Sequence, residues 1–117
     1  MNVCSDNQLI EMESQLQPSL TNQLDENTAI HLAQLFGALA DPSRLRIIAA
    51  LVDGEQNVGD LSESAAISES AVSHHLRDLR QLRIVKTRKE GRFVYYTLDD
   101  DHVIDLFKRG LEHVRHG

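Results

Sequence analysis

The chain has 117 residues, of which 41% are apolar and 26% charged, with a formal net charge of −6 and a single cysteine. That is one domain of ordinary size, apolar enough to fold, and no apolar run approaches the roughly 18 residues that a membrane span needs. The lone Cys4 makes no internal disulfide and the acidic N-terminal stretch lacks the basic-then-apolar order of a secretory leader, so a cytoplasmic protein is expected, and the acidic total argues on its face against a nucleic-acid binder.

Residues 1–24 are rich in Gln, Asn and Ser and read as a mobile arm or weak helix, leaving 25–117 as the folded domain. Over 26–39, Ile30, Ala33, Leu35, Phe36 and Leu39 recur near helical spacing. Asp41-Pro42 restarts the chain, because Asp can cap a helix and Pro suits its first position. The helix that follows, about 42–52, carries Leu45, Ile48, Ala49 and Leu51 and stops at Asp53-Gly54. Asn57, with Asp60 three residues on, starts a short helix over about 58–65. Ala66-Ile67-Ser68 is a tight connection, and Ser68 caps a fourth helix over about 69–80, with Glu69 at its positive end. Two short helices so joined read as a helix-turn-helix. Residues 83–88 and 92–98 are β-rich, with Lys89-Glu90-Gly91 as the hairpin tip. The last helix, about 101–116, has Val103, Ile104, Phe107, Leu111 and Val114 on one stripe. The expected fold is mainly α (α+β), a winged helix-turn-helix in the order αααα-ββ-α.

The net charge hides a segregation. Residues 77–92 hold seven basic groups against Asp78 and Glu90, whereas residues 1–76 hold two basic and eleven acidic groups. Binding a polyanion needs local positive potential rather than a positive total. Arg77 and Arg80 fall on the second helix of the helix-turn-helix, and Lys86 to Arg92 along the wing, where phosphates of a duplex would lie.

These residues carry a resemblance. Ala40-Asp41-Pro42-Ser43-Arg44-Leu45-Arg46, Val58-Gly59-Asp60-Leu61, Ser68-Glu69-Ser70-Ala71-Val72-Ser73-His74-His75-Leu76 and Lys89-Glu90-Gly91-Arg92-Phe93-Val94-Tyr95-Tyr96 resemble the ArsR/SmtB family of dimeric winged-helix, metal-sensing repressors over about residues 28–116. The resemblance implies that a metal-free homodimer binds a pseudo-palindromic operator and that metal binding releases it, derepressing metal efflux or sequestration genes. It places Ser70, Ser73 and His74 at base edges or nearby phosphates and Arg77 at the backbone. Arg88, Lys89 and Arg92 of the wing are expected on phosphates. Tyr95, Tyr96 and Phe93 alternate along a strand and are expected to pack the wing on the core.

The last helix also holds Asp100, His102, His113 and His116. His102 and His113 are about 16 Å apart along a helix, so they cannot share an ion within one chain. Yet 11 residues is close to three turns, so both lie on one face. If two such helices pack antiparallel across a two-fold axis, Asp100 and His102 of one chain meet His113 and His116 of the partner subunit, with Asp100 at a non-helical N-cap, and two identical sites form per dimer. The resemblance implies the same set, as in the family's zinc sensors with a C-terminal helix site. Three imidazoles and one carboxylate suit tetrahedral Zn(II), two per dimer, each shared between subunits. Where relatives with a thiolate site have Cys, this chain has Asn57, which argues against soft-ion sensing. Another metal (Co, Ni or Cd) or a non-metal ligand is the alternative effector. No catalytic constellation is present, so no enzyme activity is expected.

Overall fold

The computed structural model describes residues 19–116. Cys4 and most of the expected arm lie outside the described residues. The chain divides into two compact units between Gln34 and Leu35.

In the first unit, Ser19 caps a single-turn helix α1 (Leu20–Gln23), its hydroxyl accepting the Asn22 N–H at 3.1 Å. Helix α2 (Glu26–Leu39) then begins after Asp25, whose carboxylate accepts the Thr28 N–H at 2.8 Å. That backbone hydrogen bond, seconded by the Thr28 side chain, holds the Asp25 carboxyl below its usual range.

The second unit takes up the chain from the last turn of α2. Helix α3 (Pro42–Asp53) starts as its sequence dictates: the Asp41 carboxylate accepts the Arg44 N–H at 2.9 Å, and Pro42 sits where no N–H is needed. Its core face is Ile47, Ile48, Ala50 and Leu51, all buried. Leu45, on the other side of the helix, is exposed. Helices α4 (Val58–Ala65) and α5 (Glu69–Gln81) form the helix-turn-helix, each with the expected cap: Asn57 Oδ1 accepts from Asp60 N at 2.8 Å, and Ser68 Oγ from Ala71 N at 3.1 Å. Leu61 and Ala65 of α4 pack with Val72, Leu76 and Leu79 of α5 in the core.

Both helices of the motif end in the same way. The Ile67 N–H bonds Ser62 O and the Ala66 N–H bonds Glu63 O, while the Ile84 N–H bonds Leu79 O and the Arg83 N–H bonds Arg80 O. These are Schellman closures, and they put Ala66 and Arg83 in the left-handed region at φ 58° and 60°. Arg83 and Ile84 therefore belong to a helix terminus, and strand β1 is Val85–Glu90 rather than 83–88. It pairs antiparallel with β2 (Phe93–Leu98), Val85 opposite Leu98 and Glu90 opposite Phe93. The turn is thus the two residues Gly91-Arg92, with Gly91 at φ 62°, and Lys89 and Glu90 are strand residues rather than the tip.

Gln56 adds a bridge to the wing: its N–H and C=O both bond Tyr96, at 3.2 and 2.8 Å. Its side chain donates to Ala50 O at 2.9 Å and accepts from Ser64 at 3.2 Å. One glutamine thereby ties α3, α4 and β2 together. Helix α6 (Asp101–His116) closes the order and buries Val103, with Phe107 packed against the core. The observed order is the expected winged helix-turn-helix preceded by one short extra turn.

Candidate nucleic-acid interface and metal centre

Helix α5 is sharply two-sided. Val72, Leu76 and Leu79 are buried, so Ser70, Ser73, His74 and Arg77 are left exposed on the outer face. Ser73, Arg77, Arg80 and Gln81 line a depression of about 410 Å³ that Tyr96 of the wing closes on its far side. A second, larger hollow of about 710 Å³ lies between the helix-turn-helix and the wing, with Glu69 and Arg92 on its walls. Arg92 also lies over the Phe93 ring, 5.9 Å from its centroid. Among the described residues no ion pair is formed by Arg77, Lys89 or Arg92. These cations are available to an external anion.

Arg88 is held differently. Its Nε and Nη2 donate to the two oxygens of Glu55 at 2.7 and 2.6 Å, and its Nη1 donates to Glu90 at 2.8 Å. Its guanidinium stacks 4.8 Å from the centroid of the Tyr95 ring. These hydrogen bonds hold the Glu55 carboxyl below its usual value and raise the Arg88 pKa further. Arg88 is first a staple between the wing and the α3–α4 loop. Any phosphate reaching it must exchange for two carboxylates.

A further charged group joins α5 to the start of α3, and no local pattern in the sequence marks it. Arg44 Nε donates to His75 Nδ1 at 3.0 Å and its Nη2 donates to Asp78 Oδ2 at 2.5 Å. His75 accepts on Nδ1, so its neutral ring carries the proton on Nε2, which faces Asp41 Oδ2 at 4.0 Å. Arg44 stands in the Asp41-Pro42 motif, where its spacing assigns it no role. Its partners lie 31 and 34 residues away, beyond the reach of that motif.

The metal-ligand candidates sit at the two ends of α6. Asp100 is the residue before the helix, as the ligand geometry requires, and its Oδ1 accepts the His102 N–H at 2.8 Å. The same oxygen lies 3.2 Å from His102 Nδ1, while the His102 side chain is 99% exposed. His113 and His116, one turn apart, line an open depression of about 390 Å³ with Arg109 and Glu112. Among the described residues, no three such side chains come together within the chain. What the protomer offers is two half-sets, a carboxylate with an imidazole at one end and two imidazoles at the other. That donor chemistry fits zinc when the halves come from different subunits.

An apolar groove of about 630 Å³ runs beside α6, lined by Phe36, Leu39, Leu45, Ala49, Leu106 and Leu111 among others. No helix among the described residues is long and apolar enough to cross a membrane.

The model of the family described as "Bacterial regulatory protein, arsR family" matches residues 41–87, from the cap of α3 into β1. A transcriptional repressor SmtB homolog of a Synechocystis species is 47% identical over 106 residues, covering 91% of this chain and 78% of that protein. This chain belongs to the ArsR family of bacterial transcriptional regulators. Another family member, the regulator NmtR of Mycobacterium tuberculosis, is 42% identical over 93 residues, covering 80% of this chain and 78% of NmtR. A solution structure of apo-NmtR superposes with a TM-score of 0.68 at 40% identity, covering 86% of this chain and 83% of that one. The transcriptional activator HlyU of Vibrio cholerae is 40% identical over 95 residues, covering 79% of this chain and 87% of HlyU. Asn57 in this ArsR-family chain caps α4, which a thiolate at that position would do poorly.

Proposed function

We propose that this ArsR-family regulator is a Zn(II)-responsive repressor that acts as a homodimer. The metal-free dimer holds a pseudo-palindromic operator through Ser70, Ser73, His74 and Arg77 of α5 and Lys89 and Arg92 of the wing, with Arg88 an anchor only after it leaves Glu55. The observation that carries the reading is the division of four zinc-type donors between the two ends of one helix, 11 residues and close to three turns apart. Each end is incomplete alone.

The apolar groove beside α6 supports the second copy. Phe36, Leu106, Leu111 and Val114 are large apolar side chains left exposed on the protomer, more than a solitary domain usually presents in one place. A two-fold partner covering this groove with its own α6 would bring Asp100 and His102 toward His113 and His116 of the partner subunit, giving two identical sites. Zn(II), if bound there, would supply a link between the subunits through these four donors. Asp100 keeps the His102 ring in place through the 3.2 Å contact, and its position at the helix start keeps its carboxylate outside the helical barrel. A metal held by Asp100 and His102 of one subunit and His113 and His116 of the partner subunit would tie the two α6 helices together and so favour one spacing of the two α5 helices, as an effector that switches an equilibrium must distinguish two states.

The test is fluorescence anisotropy on a duplex enriched by this protein from random sequence, with and without Zn(II), Co(II), Ni(II) and Cd(II). Zinc is expected to lower affinity by tenfold or more, and Asp100→Ala with His102→Ala to abolish that response. A second reading, a metal-independent regulator on the same scaffold, gives duplex binding with no response to any of the four ions.

A further inference from the structure

We propose that Arg44 is a positioning residue for operator reading, acting through His75 and Asp78 to set the rotation of α5 about its own axis. The inference rests on the DNA-binding role just proposed for α5. The inner side of that helix is apolar: Val72, Leu76 and Leu79 set which face points into the core, but apolar packing is non-directional and leaves small rotations about the axis less tightly fixed. The Arg44 fork is directional. Two hydrogen bonds, 3.0 and 2.5 Å, reach residues three apart on α5, which are neighbours on one flank of the helix. Those residues sit beside His74 and Arg77 in sequence, so the fork fixes the flank next to the outer face.

The root of the fork is itself rigid. The Arg44 N–H is held by the Asp41 carboxylate at 2.9 Å, and the same carboxylate faces the far nitrogen of His75. Arg44 and His75 have side chains only 18% exposed, as against 66% for His74. Arg44 is thus a support within the protein rather than a surface cation. The fork also neutralises Asp78, one of two carboxylates in the basic run over 77–92, with His74 Nε2 a further 3.8 Å from the same oxygen. Long basic side chains tolerate a small rotation of their helix and still find phosphates, whereas the short Ser and His side chains lose base edges. Loosening the fork should therefore cost sequence selectivity before it costs general affinity.

The test compares wild type with Arg44→Lys, His75→Leu and the charge-balanced pair Arg44→Ala with Asp78→Asn, on the enriched duplex and on a scrambled one, with thermal melts alongside. Arg44→Lys and the charge-balanced pair should each lose about tenfold on the enriched duplex, the size of one good base contact, and stay within about twofold on the scrambled one. His75→Leu should lose less, in the same direction. Full binding by the charge-balanced pair overturns the proposal, since Arg44 would then serve only to cancel Asp78. A parallel loss on both duplexes overturns it in favour of a direct phosphate contact, and unchanged selectivity in the Lys and Leu variants overturns it outright. An Arg44→Lys chain that fails to fold also overturns it, making Arg44 a residue of the fold alone. Failure of wild type to enrich any duplex would instead strike the DNA-binding reading itself.

Discussion

Ala66 and Arg83 hold left-handed backbone conformations that glycine adopts freely and other residues adopt at about 1–2 kcal/mol. The added unfolded-state freedom of glycine offsets part of that, so Ala66→Gly is expected to stabilise the domain by about 0.5 kcal/mol in urea unfolding, and a destabilised variant would show that the turn carries no strain. Asp41, Asn57 and Ser68 are readable as caps because each bonds an N–H three residues on. Arg83 reads as strand in the sequence because nothing local marks a helix terminus that lacks glycine, and the β-rich run beginning there favours that reading. The Arg44 fork is invisible for a different reason: its geometry exists only after α3 and α5 have packed.

The wing is a hairpin fixed at its base by Gln56 and along its side by Arg88. The Glu55 carboxyl is held below its usual value of 4.5, so its contribution to the wing is present above that value and is lost as pH falls through the lower, folded-state one. The protection factors of the Tyr95 and Tyr96 amides, measured against intrinsic exchange at each pH, should accordingly fall only on the acid side of the ordinary glutamate range; equal protection across that range would exclude the staple as a stabilising contact. Glu55→Gln frees most of Arg88 for phosphate, and binding to scrambled duplex should rise severalfold with a salt slope steeper by about one per protomer. Arg92→Ala should do the reverse, weakening all duplexes alike and flattening the slope by about one per protomer, and an unchanged slope would remove the wing from the interface. The hairpin itself is legible from alternation and Gly91, but its strand begins two residues later than the pattern suggests because the helix closure consumes Arg83 and Ile84.

For the whole molecule, the acidic total and the basic run do not conflict. The basic groups gather on α5 and the wing, while acidic ones serve as caps, as the partner of Arg88 and as a metal-ligand candidate. The candidate metal-ligand set is read from spacing: 11 residues, close to three turns, put His102 and His113 on one face, His116 is one turn beyond His113, and Asp100 stands at the cap. The groove that would seat the partner is not so read, because Leu45 and Ala49 join it only through the packing of α3 beside α6. Whether each metal site is built from two subunits is tested by mixing two dead chains. One carries Asp100→Ala with His102→Ala, the other His113→Ala with His116→Ala, and binding is followed by the tetrahedral absorption of Co(II) displaced by Zn(II). Neither chain alone should bind, and remixing after unfolding should restore tight binding to the heterodimers, one ion each. Binding by either chain alone, or no recovery on mixing, would contradict a site shared across the dimer.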